Sequence, residues 1–257
     1  MRSRETDRLS AYLFGTMHVN DPRVLALFEN VKPYIDACDA FATEIDLNGP
    51  IPDPQYFMIP DCKTFYDFIK PKKYQKLNRI SKKAFGLNLD MHVQKMPLLI
   101  ISIISEALLS NQDHPPLDKH LSDYAASSGK KMLGVEDLLE HMEVLQKIPI
   151  EFQIKAMTSI LSNVSSFRRK MQMMTEQYLQ QEIYKLYKAA KKSLQDSRQV
   201  MLYERNYKMA ASIVEMSKDQ KSFIAVGAAH LAGKTGLLKL LKDEGFRLNP
   251  IVLKTNL

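Results

Sequence analysis

The 257-residue sequence contains no tryptophan, two cysteines and, between Pro149 and Gly227, neither glycine nor proline. Each scarcity excludes something. Without tryptophan, any aromatic platform must be built from tyrosine or phenylalanine. Cys38 and Cys62 lie apart with no CxxC spacing, which excludes a thiolate metal site and permits at most one disulfide. Long apolar runs are also missing. The most apolar stretch, Pro97 to Leu109, is interrupted by Ser102, Ser105 and Glu106. It falls short of the roughly 20 residues of a spanning helix and reads as a buried helix. The first ten residues, MRSRETDRLS, are charged and lack the apolar centre of a signal peptide. The expectation is a cytoplasmic chain, or an exported one (periplasmic or cell-surface) whose leader has been removed.

What is present describes a folded domain. With 45% hydrophobic and 25% charged residues, disorder, a collagen-like repeat and a disulfide scaffold are excluded. The 36 Lys and Arg exceed the 29 Asp and Glu, and the net charge of +7 permits contact with nucleic acid or an acidic membrane without requiring it.

Ala11 to Gly15 (AYLFG) reads as a buried strand ended by glycine, and Phe41 to Leu47 (FATEIDL) as a second. Between them Asp21-Pro22 has the form of an N-cap and a first-turn proline, with Val24, Leu27, Phe28, Val31 and Ile35 at helical spacing. A proline-studded loop follows. Helices are expected over Pro71 to Phe85, after Pro97, from about Pro116, and from Asp137 to Gln146, with a short strand at Lys131 to Val135. The glycine-free stretch reads as two or three long helices broken near Ser162 to Ser166. Ser222 to Val226 and Phe246 to Val252 read as strands around a helix at Thr235 to Glu244. The expected architecture is α/β: a central mixed β-sheet built from both chain ends, with a large helical insertion. One domain is expected over 1–257, with 1–50 and 218–257 as sheet core and 51–217 as a mainly helical middle.

The most informative pattern is a repeated turn. Gly15-Thr16-Met17-His18 follows the first strand and Gly227-Ala228-Ala229-His230 follows the late one. Glycine permits a sharp exit from a strand, and the histidine then projects from the carboxyl edge, where open α/β sheets place their sites. Glu44 stands inside the second strand, where a charge must be paired or bound to a cation. Two histidines and a glutamate are a sensible ligand set for Zn, Mn, Co or Fe. A salt bridge from Glu44 to a core arginine, with Arg205 the obvious partner, accounts for the same glutamate without a metal.

Other candidates carry two readings each. Arg205 and Asn206, at an expected helix start, would bind a substrate carboxylate or oxyanion, or else Arg205 braces Glu44 or Glu136. Glu136, at the end of the short strand, is a partner of the ligands, a general base, or a helix N-terminal carboxylate. Asp118 reads as an N-cap. In HLAGKTG, five residues rather than four separate Gly227 from Gly233, so the phosphate-loop pattern fails and a loop holding His230 is preferred. His92, His114, His120 and His141 lack matching context. The basic stretch from Lys70 to Lys83, with Tyr74 interleaved, reads as a solvated helix face, and no nucleic-acid partner is expected. Any homo-oligomer is expected to form through the helical region.

Several blocks together resemble the TraB/GumN family, which includes the Tiki metalloproteases and the pheromone-shutdown proteins. They are YLFGTMHVND, FATEIDL, the central block from Pro116 to Gln153 with its Leu-Asp, Gly-Lys, Leu-Glu and later Gln, ERNYKMA at Glu204 to Ala210, and Phe223 to Ile251. Members commonly carry Gln where His141 falls, and many have an export signal. The resemblance implies a metal-dependent, peptidase-like hydrolase acting on a peptide or protein, with His18, Glu44 and His230 holding a divalent metal such as Mn, Co or Zn. The erythromycin-esterase and haem-binding ChaN-like proteins share the implied architecture. A metal-free hydrolase with a histidine base, and a non-catalytic haem or peptide binder, therefore stay open.

Overall fold

The computed structural model describes residues 1–3, 11–19, 21–46, 49–109, 115–253. Its strands are β1 (Arg2–Ser3), β2 (Ala11–Thr16), β3 (Ala40–Asp46), β4 (Lys131–Asp137), β5 (Ser222–Gly227) and β6 (Phe246–Arg247). The central sheet has the order β2-β5-β3-β4 with all of its pairings parallel. The protein is thus α/β, with a sheet drawn from both ends of the chain and completed by β4 from the middle. The sheet is parallel rather than mixed, and β1 and β6 pair antiparallel in a separate ribbon. The expected last strand shortens to β6, whose two residues pair with the two of β1.

Alternation along the strands sorts the sheet's two faces. Tyr12, Phe14, Phe223 and Phe41 line one. Phe41 and Phe223 are register partners stacked at 5.5 Å and 7°. Tyr34 of the helix Leu27–Asp36 meets Tyr12 edge-on at 5.0 Å. On the other face, Ala42, Ile224 and Val226 pack with Met209 and Ile213 of the helix Arg205–Asp219 and with Leu237 and Leu241 of the helix Leu237–Asp243. Asp21 caps the first helix as expected, accepting a hydrogen bond from the Arg23 N–H.

The glycine-free stretch forms four α-helices rather than two or three: Ile150–Ser162, Val164–Leu179, Ile183–Leu194 and Arg205–Asp219. The first break falls at Asn163, inside the expected segment. The others come at Gln181 and Gln195, polar residues that adopt positive φ without glycine.

The chain divides into two compact units. One holds the sheet and comprises Met1–Gly49, Asn111–Leu138 and Met174–Leu257; the other comprises Pro50–Ser110 and Leu139–Met173. The second is helical, with Leu77, Ile100, Ile104, Ile154 and Met157 in its core. There the helix Pro71–Phe85 exposes its lysines and turns Tyr74 inward, where its hydroxyl donates to Asp90 at 2.9 Å. That aromatic is not presented for stacking. Gln153, the family-like glutamine, donates to the carbonyls of Leu145 and Ile148 and closes the end of the preceding helix. No helix among the described residues is long and apolar enough to cross a membrane.

Phe223 is 2% exposed and stacks between two strands. Phe223→Ala is expected to lower the unfolding free energy by about 3–5 kcal/mol, as large core truncations do. Urea titration followed by circular dichroism would measure this, and a loss below about 1 kcal/mol would show that the aromatic row does not hold the sheet.

Candidate active site

β3 and β5 pair from Ala40↔Ser222 to Ala42↔Ile224 and then part. The opening lies at the carboxyl edge of the sheet, where α/β folds bind ligands. Glu44 sits just past the parting, on the face that carries the helix Arg205–Asp219. Its Oε2 accepts the Gly227 N–H at 2.7 Å, so the side chain takes the place of a missing ladder bond. A Cβ at Gly227 would stand 3.1 Å from that oxygen and 3.4 Å from the His230 ring. Glycine at the end of β5 therefore lets the carboxylate and the imidazole approach the backbone closely.

His230 closes the short 3₁₀ turn Ala228–His230 and is 7% exposed. Its orientation follows from Asn206. The Asn206 Nδ2 donates to the Thr235 carbonyl at 2.7 Å, and a longer contact of 3.4 Å reaches the His230 carbonyl. Both oxygens are acceptors, so the amide oxygen must be the atom 2.5 Å from His230 Nδ1. Nδ1 carries the proton, and in the neutral ring Nε2 keeps its lone pair, 3.7 Å from Glu44 Oε1. The HLAGKTG segment thus closes on Asn206 and His230, as the failed phosphate-loop spacing leads one to expect.

Arg205 and Asn206 reach the site from the start of their helix, directly after a π-helical turn at Gln199–Glu204. Such turns are wider than an α-helix, and here one turn feeds two buried polar residues toward the sheet edge. The Arg205 guanidinium is 4% exposed and braces both glutamates. Nη2 donates to Glu44 at 2.6 Å and to Glu136 at 2.5 Å, while Nε donates to both Glu136 oxygens at 3.1 and 3.0 Å. Burial works to raise the Glu44 pKa. The charge that His230 carries when its ring is protonated, the Arg205 cation and the Gly227 N–H outweigh it, and the carboxyl is pulled down to about 2. Glu44 is therefore a fixed negative charge at neutral pH. Arg205 is held above its ordinary value by the same glutamates, against burial.

His18 lies at the rim, with its side chain 56% exposed and Nδ1 2.6 Å from Asp118 Oδ2. Asp118 is not the N-cap of its helix. Pro116 holds that position, Leu117–Ser127 is the helix, and Asp118 in its first turn reaches across to His18. This partner of His18 was missed from local spacing because the two are 100 residues apart; the Leu-Asp of the central block was the available signal. The structure brings Glu44, Glu136, Arg205, Asn206 and His230 together and leaves His18 with Asp118. Among the described residues, no three His, Cys, Asp or Glu side chains converge as a metal site. His120 packs edge-on against Phe28 at 4.4 Å, and His114 lies outside the described residues.

Comparison with known proteins shows the family. The TraB/PrgY/gumN family matches the chain over residues 2–250. The chain belongs to the TraB/PrgY/gumN family. Among its relatives are two proteins named metalloprotease TIKI2, from Xenopus tropicalis and Danio rerio. Each is 22% identical over 300 aligned positions, covering 93% of this chain and 57% and 58% of the relative, respectively. The chain thus spans a little over half the length of these relatives. No solved structure matches it. The residues of the cluster come from FATEIDL, KMLGVED, ERNYKMA and VGAAH, all within the range matched by the TraB/PrgY/gumN family.

Two predictions follow from the charges. Arg205→Met leaves Glu44 and Glu136 without their cation and is expected to destabilise the fold by about 3–5 kcal/mol, the usual cost of breaking a buried pair; adding Glu136→Gln should recover part of it in urea titrations. Glu44 has a folded pKa near 2 against an ordinary 4.5, so its contribution is complete above about pH 4.5 and is lost as pH falls toward 2. The unfolding midpoint of Glu44→Gln should accordingly vary less over that window than that of the wild type. Equal slopes would remove the assigned pairing.

Proposed function

We propose that this chain is a metal-dependent hydrolase acting on peptide bonds of a peptide or protein substrate, with His230 and Glu44 as the buried part of its metal site and His18 as the third ligand. The single observation that carries this reading is the approach of His230 Nε2 to Glu44 Oε1 at 3.7 Å, with Asn206 holding the ring at Nδ1 and Arg205 donating to Oε1 itself. Two ligand atoms at about 2.0–2.2 Å from one ion stand at a similar separation. The donor chemistry, one imidazole and one carboxylate that stays ionised, fits a borderline divalent ion. The names of the TIKI2 relatives support the same class.

A bound divalent ion such as Mn, Co or Zn would supply an acidified water and polarise the scissile carbonyl. The remaining work falls to the chain. Asn206 fixes the tautomer and ring plane of His230. Arg205 holds Glu44 in one rotamer and keeps it charged, and Glu136 holds Arg205. His18, reachable from solvent and hydrogen-bonded to Asp118, would complete the ligand set from the rim. It is also the residue best placed to exchange a proton with substrate. The His18–Asp118 pair favours a second reading, a metal-free hydrolase in which His18 is the general base oriented by Asp118.

Metal analysis of the purified chain and hydrolysis of a fluorogenic peptide library, with and without a chelator, separate the two. The expected result is bound divalent metal, loss of hydrolysis on chelation, and a fall of roughly 100-fold or more for His230→Ala and Glu44→Gln. Asn206→Ala should weaken metal affinity by about 10–100-fold. Hydrolysis that survives chelation but is lost in His18→Ala and Asp118→Asn would establish the second reading instead. Absence of metal together with absence of hydrolysis would overturn both.

A further inference from the structure

β2 is an edge strand of the central sheet, bonded on one side to β5. Its outer side can be followed atom by atom. The Ala11 N–H donates to the Met1 carbonyl at 3.4 Å, and the Met1 amine donates back to the Ala11 carbonyl. Four residues on, the Gly15 carbonyl accepts the Tyr178 hydroxyl at 2.7 Å. In a parallel strand the N–H and C=O of one residue point to the same side, and that side alternates. Ala11, Leu13 and Gly15 therefore face outward, and Leu13 stands between two anchored neighbours. Among the described residues, the outward N–H and C=O of Leu13 and the N–H of Gly15 meet no hydrogen-bond partner.

These groups open onto a largely apolar cavity of about 660 Å³. Residues of both parities of β2 line it, Tyr12 and Phe14 as well as Leu13 and Gly15, so it follows the strand's edge rather than one face of the sheet. Val31 and Tyr34 wall it on one side, Leu238 and Ile251 on the other. The Lys242 side chain, exposed and in no ion pair among the described residues, also borders it. The volume is in the range of ligand sites. The glycine at its end, Gly15, begins the turn that carries His18.

We infer that this edge is a peptide-binding slot: an extended apolar segment with an acidic residue adds itself beside β2, pairing with Leu13 and Gly15 and setting its acidic group against Lys242. Strand addition supplies the missing backbone partners, and alternate side chains of the added strand enter the two walls. A fatty acid would fill the same apolar volume and meet Lys242 but would leave the Leu13 amide unpaired, so the backbone groups decide for peptide. The inference deepens the proposed hydrolase by giving its substrate a binding mode, and it rests on that reading only for what happens after binding.

The test measures binding of the full chain, in chelator, to a fluorescein-labelled hexapeptide of alternating leucine and threonine that ends in aspartate. Two further versions carry N-methyl groups on one or the other alternate set of amides. One set should weaken binding at least about tenfold and the other less than about twofold, since only one set points at β2. Lys242→Glu, at an exposed position, should weaken the aspartate-ended peptide at least about fivefold and favour a lysine-ended one. Equal binding of the two methylated peptides would overturn strand addition, as would a cavity that binds palmitate and none of the peptides. Phase-dependent binding without any hydrolysis would leave the slot standing and remove the hydrolase; hydrolysis with no phase dependence would do the reverse.

Discussion

The interaction on which the rest of this site depends is a single buried guanidinium shared by two carboxylates. Arg205 comes from a helix on one face of the sheet, Glu44 from β3 and Glu136 from β4. Burying one cation beside two anions leaves a local charge of −1, and the Gly227 N–H lies against that excess. A buried ion pair of this kind gains little over an apolar replacement but is costly to break. Its consequence is positional. It ties a helix start to two strand ends and presents Glu44 as a carboxylate that neutral pH cannot protonate.

That arrangement divides the candidate site into a rigid half and an accessible half. Arg205, Asn206 and His230 are buried, Glu44 is partly buried beside them, and their hydrogen bonds restrain one another. His18 and Asp118 stand at the rim on a turn and a helix start. The proposed hydrolase would benefit from this division, since preorganisation is needed where charge develops and access where a substrate enters. The same first turn ends the edge strand β2, so the proposed peptide slot and the accessible histidine would share one short segment.

Much of the fold is legible in the residues because its signals are local. Glycine at the ends of β2 and β5, Asp21-Pro22 at a helix start, proline before the helices at 71 and 97, and apolar runs of strand length each act within a few residues. The long glycine-free stretch misled the helix count because its later breaks rest on Gln181 and Gln195, whose positive φ has no marker in composition. The mixed sheet expected from strand order became a parallel one because the terminal segments that run the other way pair with each other and not with the central strands. Glu44, Arg205 and Glu136 were legible as candidates, since a charge within an apolar strand demands a partner. The division of labour among them was not.

The sequence by itself determined the kinds of chemistry available: no thiolate site, two glycine-led histidines at strand ends, and a strand glutamate that needs a cation or an arginine. Tertiary structure alone decided the pairings. Glu44 and Arg205 are 161 residues apart, and His18 and Asp118 are 100 apart. Local propensity carries no information over such distances. Which carboxylate meets which cation, and which amide of an edge strand is left without a partner, are set by sheet order and register, and those follow from burying the apolar faces of the whole chain at once.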